Sequence, residues 1–442
     1  MANVVNESKP VCKYGEKCYR RNREHLNQYD HPRKTTDTAD EQNVNATTDT
    51  EIVKGERKRK SPARQLDGLE TSCIAKSPKL DEETNDAVEK VAQQSNANEA
   101  ETTESQSNLR NQNENHSQQD SQFMKMTTLE DRKRFIEQKF LVKMPDDFYK
   151  LWTLAVELDK DNPCEAFCDL DIRLTGPFDV LAGKFDSEQV QSTFSHDDYL
   201  RHCRYYYDPP EFQTVMSRFV KAADGFHVGY LRDDASCDAI VCSNTVVKGG
   251  QLNIIGDNLF TALLYLASTL DLNKLETVQS LIARIESVCD AARYSQLSLN
   301  SKALKERKKR VVASTLHGAG IVVPVHNDVG YRPLSQTNAN IKKILNAAAA
   351  ALQSGDKVLA DKKLEPISEM MNYVQFANDE CDYGMGLELG LDLFTSGHRF
   401  LHGRIEHLLS TAYQLLGRDV FAKILKAHLA KRELNPAVVG VV

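Results

Sequence analysis

The tract from residue 35 to about 122 constrains the folding of this chain more than any other feature. It is rich in Thr, Asn, Gln, Glu, Asp and Ser and almost free of aromatic side chains. Ordering a backbone costs roughly 1–2 kcal/mol per residue, and this composition has too little apolar surface to offset that cost. The tract therefore reads as a disordered linker, residues 35–122. Folding is left to a short segment before it, residues 9–34, and to a body of globular composition, residues 123–435. Inside the linker, Lys54-Gly55-Glu56-Arg57-Lys58-Arg59-Lys60-Ser61-Pro62-Ala63-Arg64 is a candidate nuclear-import signal. The bland alternative is a solvated charge run.

The short segment holds Cys12, Cys18, His25 and His31, spaced Cys-x5-Cys-x6-His-x5-His. Two thiolates and two imidazoles suit tetrahedral zinc with no position left open for catalysis. So short a segment has no core of its own, so the metal would supply most of its folding energy. One structural zinc site is expected. The chain's ten cysteines follow no disulfide framework, which fits a reducing compartment. A net charge of −7 excludes a basic nucleic-acid coat, and any polyanion affinity must come from a local patch. No apolar run approaches the ~20 residues of a membrane span, and no secretion signal is expected at the start.

Apolar spacing in the body predicts helices over Leu129–Lys143 and Phe148–Leu158, the latter with Trp152 on its apolar face. A helix exit and a Gly-Pro turn are expected over Leu170–Asp186. Strands are expected within Phe212–Asp238, at Ala239–Cys242, at Leu252–Ile255 and at Ile321–Val325, where Pro324 marks an edge or an end. Further helices are expected at Asn258–Leu270, Leu275–Ala291, Ile341–Leu352 and within Ile405–Arg432, while Glu369–Ala377 leads into an acidic run. Helices and strands intersperse without a regular βαβ beat. The class is therefore α+β: a helical first part, then a mostly antiparallel sheet with packed helices.

One run in the body demands a function. Gln375 to Gly390 sets Asp379, Glu380, Asp382 and Glu388 among apolar residues, with Gly384, Gly386 and Gly390 between them. Acids are rarely buried unless paired or used. Clustered carboxylates raise the proton affinity of one member, which is how a carboxyl becomes a base near neutral pH. The structural alternative is a capping cluster, with Asn378 and Asp379 at a helix start. Gly384-x-Gly386 is only a weak phosphate-loop match, lacking the Lys-Ser/Thr ending.

Two resemblances sharpen these readings. Cys12-Lys13-Tyr14-Gly15, Cys18-Tyr19-Arg20 and His31-Pro32 make residues 9–34 resemble the poly(ADP-ribose)-binding zinc finger. The resemblance implies that Tyr14, Tyr19 and Arg20 form the polymer-binding face, with rings stacking on adenine and a guanidinium forking onto phosphate. The body looks like the histone PARylation factor family. The segments that carry this are His317–Val325, Asn327-Asp328-Val329-Gly330-Tyr331-Arg332 and Asn378–Gly390, with weaker agreement in the first half. The segment Gly397–Gly403 departs from the family form.

The family resemblance implies an accessory factor for serine ADP-ribosylation of histones and other proteins. Its partner would be a DNA-damage-activated poly(ADP-ribose) polymerase, which brings NAD and the nicotinamide-ribose pocket. This chain would bring Glu380 as general base toward the acceptor serine, Asp379 as a positioning and contact residue, and Tyr331 and Arg332 as the docking surface for the polymerase's C-terminal end. Nothing in the chain resembles a complete NAD site, so no activity is expected without the polymerase. Chromatin at DNA damage in the nucleus is the expected location, without membrane association or direct sequence-specific DNA binding. Two rivals stand against this: a non-catalytic poly(ADP-ribose) reader or scaffold, and a self-sufficient hydrolase or transferase built on the carboxylate cluster.

Overall fold

The computed structural model of the chain describes Lys9, Val11, Cys12, Tyr29 and Asp30, and then residues 123–432 apart from 221–223, 237, 270–275, 293 and 295–299. The linker expectations at 35–122, including the basic cluster, lie outside the described residues.

The body opens on α1 (Leu129–Phe140) and α2 (Asp146–Leu158). Thr128 caps α1 through a reciprocal box with Asp131, which satisfies donors that a helix start leaves orphaned. Leu141, in the left-handed region, ends the helix. Trp152 lies on the apolar side of α2 and stacks on Phe178 at 6.2 Å. Where sequence predicted a helix exit and a turn, the chain forms a short strand, β1 (Ile172–Leu174), and then small helices α3 (Phe178–Leu181), α4 (Glu188–Thr193) and α5 (His196–Arg201).

Strands β2 (Phe212–Arg218), β3 (Phe226–Leu231), β4 (Ile240–Thr245) and β5 (Asn253–Gly256) follow. They join β1 in a five-stranded antiparallel sheet in sequential order. Both faces are covered. Val215, Met216, Val228, Tyr230, Val241 and Ile255 pack with α1, α2, α6 (Leu259–Thr269) and α7 (Glu276–Ala292). Phe212, Leu231, Ile240 and Cys242 pack on the other side with Leu252, Leu304 and Ala319. A bulge between Thr214 and Met216 explains how adjacent Val215 and Met216 reach the same core. Asp147 ties the layers together, accepting from the Tyr230 hydroxyl at 2.8 Å and the Leu259 N–H at 2.7 Å.

Helix α8 (Lys302–Arg310) leads into a small hairpin, β6 (Val311–Ala313) and β7 (Ile321–Val322). The expected strand through Val325 is shorter because Pro324 cannot donate to a ladder. A second core is helical, built from α9 (Asn338–Gln353), α10 (Lys357–Asp379), α11 (Gly384–Thr395), α12 (His402–Leu415) and α13 (Asp419–Ala430). Sequence reading marks only Glu369–Ala377, as the stretch leading into the acidic run; the helix runs 23 residues with Pro366 inside it. Among the described residues no helix is long and apolar enough to cross a membrane.

Candidate functional site

The acidic run folds as the turn between α10 and α11. Asp379 is the last residue of α10 and Glu380 is its C-cap. Cys381 has a φ of 63°, in the left-handed region that glycine usually fills at this position. The Asp382 N–H returns to the Ala377 carbonyl at 2.8 Å, and the Cys381 N–H to Asn378 at 3.0 Å. These are the two bonds of a Schellman ending. A left-handed non-glycine residue costs roughly 1–2 kcal/mol, and such strain clusters at functional sites. Asn378 and Asp379 therefore end a helix and do not cap a start. The capping alternative fails, since carboxylates at a helix C-terminus meet the negative end of its dipole.

The loop before α9 reaches back onto this turn. The Arg332 guanidinium is ion-paired with Glu380 and lies 2.9 Å from Asp382 Oδ2. Asp382 is fully buried and accepts from the Gly330 N–H at 2.9 Å through its other oxygen. The Gly384 N–H donates to the Gly330 carbonyl at 2.9 Å. Gly330 has a φ of 131°, and an added Cβ would come 2.0 Å from the Pro324 carbonyl oxygen, so only glycine fits. Three separated segments, around Val323, Gly330 and Gly384, thus meet at one place.

The glycines of the run serve packing. A Cβ on Gly390 would lie 2.5 Å from the Leu409 side chain of α12, and one on Gly386 would lie 3.0 Å from Val374 of α10. They let α11 approach its neighbours closely and form no phosphate loop.

Below the turn, α11 carries two buried acids. Glu388 accepts from the Tyr331 hydroxyl at 2.9 Å, and Asp392 accepts from the Leu316 N–H at 2.6 Å. Burial pushes Glu388 up to about 7, against the opposing pull of the Tyr331 bond. Burial likewise lifts Asp392 to about 7, opposed by the Leu316 bond and reinforced by the Glu388 charge. Burial and Glu388 together push the Tyr331 phenol well up. Sequence reasoning passed over Asp392, which follows Glu388 at helical spacing and was a legible signal.

Outside the turn, Phe376 is 60% exposed, one helical turn before Glu380. Sequence reading assigns Phe376 no role. Asp379 is exposed, Tyr331 half-buried and Arg332 buried.

Of the proposed zinc ligands, Cys12 is described. It is buried and its N–H donates to the Asp30 carbonyl at 2.9 Å, beside a parallel bridge from Val11 to Asp30. The first ligand is thereby tied to the residue preceding His31, which fits a closed segment whose donor set suits zinc. Cys18, His25 and His31 lie outside the described residues, as do Tyr14, Tyr19 and Arg20.

Comparison with known proteins places these features in context. A family model described as Histone PARylation factor 1 matches residues 131–432, and one described as PBZ domain matches residues 9–34. A Mus musculus protein named Histone PARylation factor 1 is 41% identical over 322 residues, 71% of this chain and 90% of the relative. Its Danio rerio counterpart is 40% identical over 69% of this chain and 86% of its own length. A Homo sapiens protein named Putative histone PARylation factor 1-like is 37% identical over 71% of this chain and 90% of its own.

Proposed function

The chain belongs to the histone PARylation factor 1 family, and from that membership we propose that it completes the active site of a DNA-damage-activated poly(ADP-ribose) polymerase for serine ADP-ribosylation. The observation that carries this reading is Glu380, set on a strained helix end beside exposed Phe376 and Asp379.

A serine hydroxyl is a poor nucleophile unless a base takes its proton as the new bond forms. In the joint site Glu380 accepts that proton while serine Oγ bonds to C1 of the nicotinamide ribose. The C1–N bond breaks, its electron pair neutralises the pyridinium nitrogen, and nicotinamide leaves. The carboxylate also favours the positive charge developing on the ribose. Asp379 and Phe376 contact the polymerase. Arg332 and Tyr331 receive the polymerase's C-terminal carboxylate, which competes with Glu380 for the same guanidinium. Docking and release of the base are thereby coupled.

The N-terminal finger, with zinc on Cys12, Cys18, His25 and His31, reads poly(ADP-ribose) through Tyr14, Tyr19 and Arg20. The linker raises the body's local concentration around modified polymerase, provided its reach matches the span. The site of action is damaged chromatin in the nucleus.

The test is a reconstitution with activated polymerase, NAD, damaged DNA and a histone tail, scored by the residue type modified. The parent chain directs modification to serine. Glu380→Gln still co-purifies with the polymerase but lowers serine modification by about 10²-fold or more. Serine modification by this variant at the parental rate would overturn the base assignment and favour the non-catalytic reader. Turnover of ADP-ribosyl substrates by the chain alone would favour the self-sufficient enzyme.

A further inference from the structure

Helix α8 concentrates positive charge in a way that folding stability does not explain. Lys302, Lys305, Lys308, Lys309 and Arg310 are all exposed on its nine residues, in a chain whose net charge is −7. Cations in the last turn of a helix complement its dipole, but Lys302 and Lys305 stand in the first turns, where the dipole opposes them. The helix's single acid, Glu306, pairs with Lys309 at 2.7 Å. Among the described residues, no carboxylate makes an ion pair with Lys302, Lys305, Lys308 or Arg310. Asn300, Lys302, Lys305, Lys308 and Lys309, with the paired Glu306, line an open concavity of about 700 Å³.

The helix that carries the cations is fixed to the body. Arg307 points inward and grips Asp233 with two bonds of 2.8 and 2.7 Å. It also donates to the Ala319 carbonyl at 2.7 Å and to Gly320 at 3.0 Å. Together with buried Leu304, this pins α8 to the body.

We propose that α8 is a sequence-independent docking surface for the phosphate backbone of duplex DNA. Lys302 and Lys309 are about 10 Å apart along the helix axis, and duplex DNA offers one negative charge per about 1.7 Å. Lysines spaced along an anchored helix suit a rigid row of phosphates, whereas a flexible polymer loses entropy in matching it. Lysine is a point charge suited to phosphate, and phosphate contacts carry no sequence information. An acidic protein is a poorer occupant, because lysine is depleted at protein interfaces and the concavity has no aromatic anchor. The proposal does not depend on the role of Glu380.

Anisotropy of a short labelled duplex, titrated with the full chain between about 50 and 200 mM salt, tests it. The parent binds with a slope of log K against log salt of about −3 or steeper. The triple variant Lys302→Glu/Lys305→Glu/Lys308→Glu binds at least about tenfold more weakly, with a slope shallower by about 3. Its thermal unfolding matches the parent because all three side chains are exposed. The triple alanine variant moves in the same direction by a smaller amount. The finger is present in every protein and cancels. Parental affinity and slope in the charge-reversed variant would overturn the proposal. So would a parent without salt-dependent duplex binding, or substitutions that weaken binding to free poly(ADP-ribose) while leaving duplex binding intact.

Discussion

Glu380 and Arg332, separated by 48 residues in sequence, are joined in an ion pair. The same guanidinium neutralises fully buried Asp382. Removing it leaves a buried carboxylate whose charge is no longer compensated, and breaking such pairs costs about 3–5 kcal/mol. Arg332→Ala is therefore expected to lose about 3 kcal/mol in chemical denaturation, and to lose polymerase binding as well. One guanidinium nitrogen, Nη2, meets both carboxylates, so Arg332→Lys should recover part of the stability but not polymerase binding, which needs the planar pairing of a guanidinium with a carboxylate. Adding Asp382→Asn to Arg332→Ala removes the stranded charge, so the pair should cost less than the sum of the single variants. Strict additivity would mean that the ion pair is not what holds the turn.

Helix packing at α11 yields a paired expectation. The Cβ of Gly390→Ala would meet the Leu409 side chain at 2.5 Å, and overpacking costs about 1–3 kcal/mol. Gly403, near the start of α12, has nothing within 4 Å of its missing Cβ. Gly403→Ala should stabilise by up to about 1 kcal/mol, the difference in helix propensity. Thermal melts of the two variants should therefore move in opposite directions. A shared direction would mean that the glycines are not there for close helix contact.

What could be read from sequence follows physical lines. Strands β2 to β5 were legible because turn residues bound short apolar runs, with alternating apolar positions within Phe212–Asp238. Strand β1 is three residues long, too short to show a period. Of helix α10, which holds Pro366 within its 23 residues, sequence marks only Glu369–Ala377, as the approach to the acidic run. Helix α8 buries only Leu304 and Arg307, so it gives no apolar stripe to read. The acidic run announced a site, but spacing alone could not say which end of a helix it occupied, nor that Arg332 closes on it from 48 residues away. The left-handed Cys381 was invisible for the same reason: nothing in the residue type demands that conformation.

The buried acids of α11 make a pH prediction. Asp392 is lifted from 3.8 to about 7 by burial. Its folded form keeps a proton that the unfolded chain releases from about pH 4 upward. That contribution to stability is complete below the unfolded value and is lost as pH rises through about 7. Asp392→Asn deletes it while keeping an acceptor for the Leu316 N–H. Relative to the parent, the variant should gain stability from pH 5 to about 7 and level off above that. Buried His317, depressed to about 3, acts with the opposite sign below its unfolded value, but it is common to both proteins and drops out of the difference. A pH-independent difference between the two melting temperatures would show that Asp392 is ionised throughout.

The finger allows the two functions of the chain to be separated. Its short segment depends on metal for its folding energy, whereas the body has two extensive apolar cores of its own. Cys12→Ser, or a zinc chelator, should abolish binding of the full chain to poly(ADP-ribose) while leaving the cooperative unfolding of the body in place. Arg20→Ala is expected to act on the face and not on the fold. Zinc content should stay at one equivalent while polymer affinity falls by about tenfold, the loss of one charge-assisted phosphate contact worth roughly 1.5 kcal/mol. Serine modification in the reconstitution with free histone tails should persist in both variants, because Glu380 and its Arg332 partner lie in the body. Loss of serine modification in Arg20→Ala at saturating polymerase would mean that the finger takes part in the joint site itself.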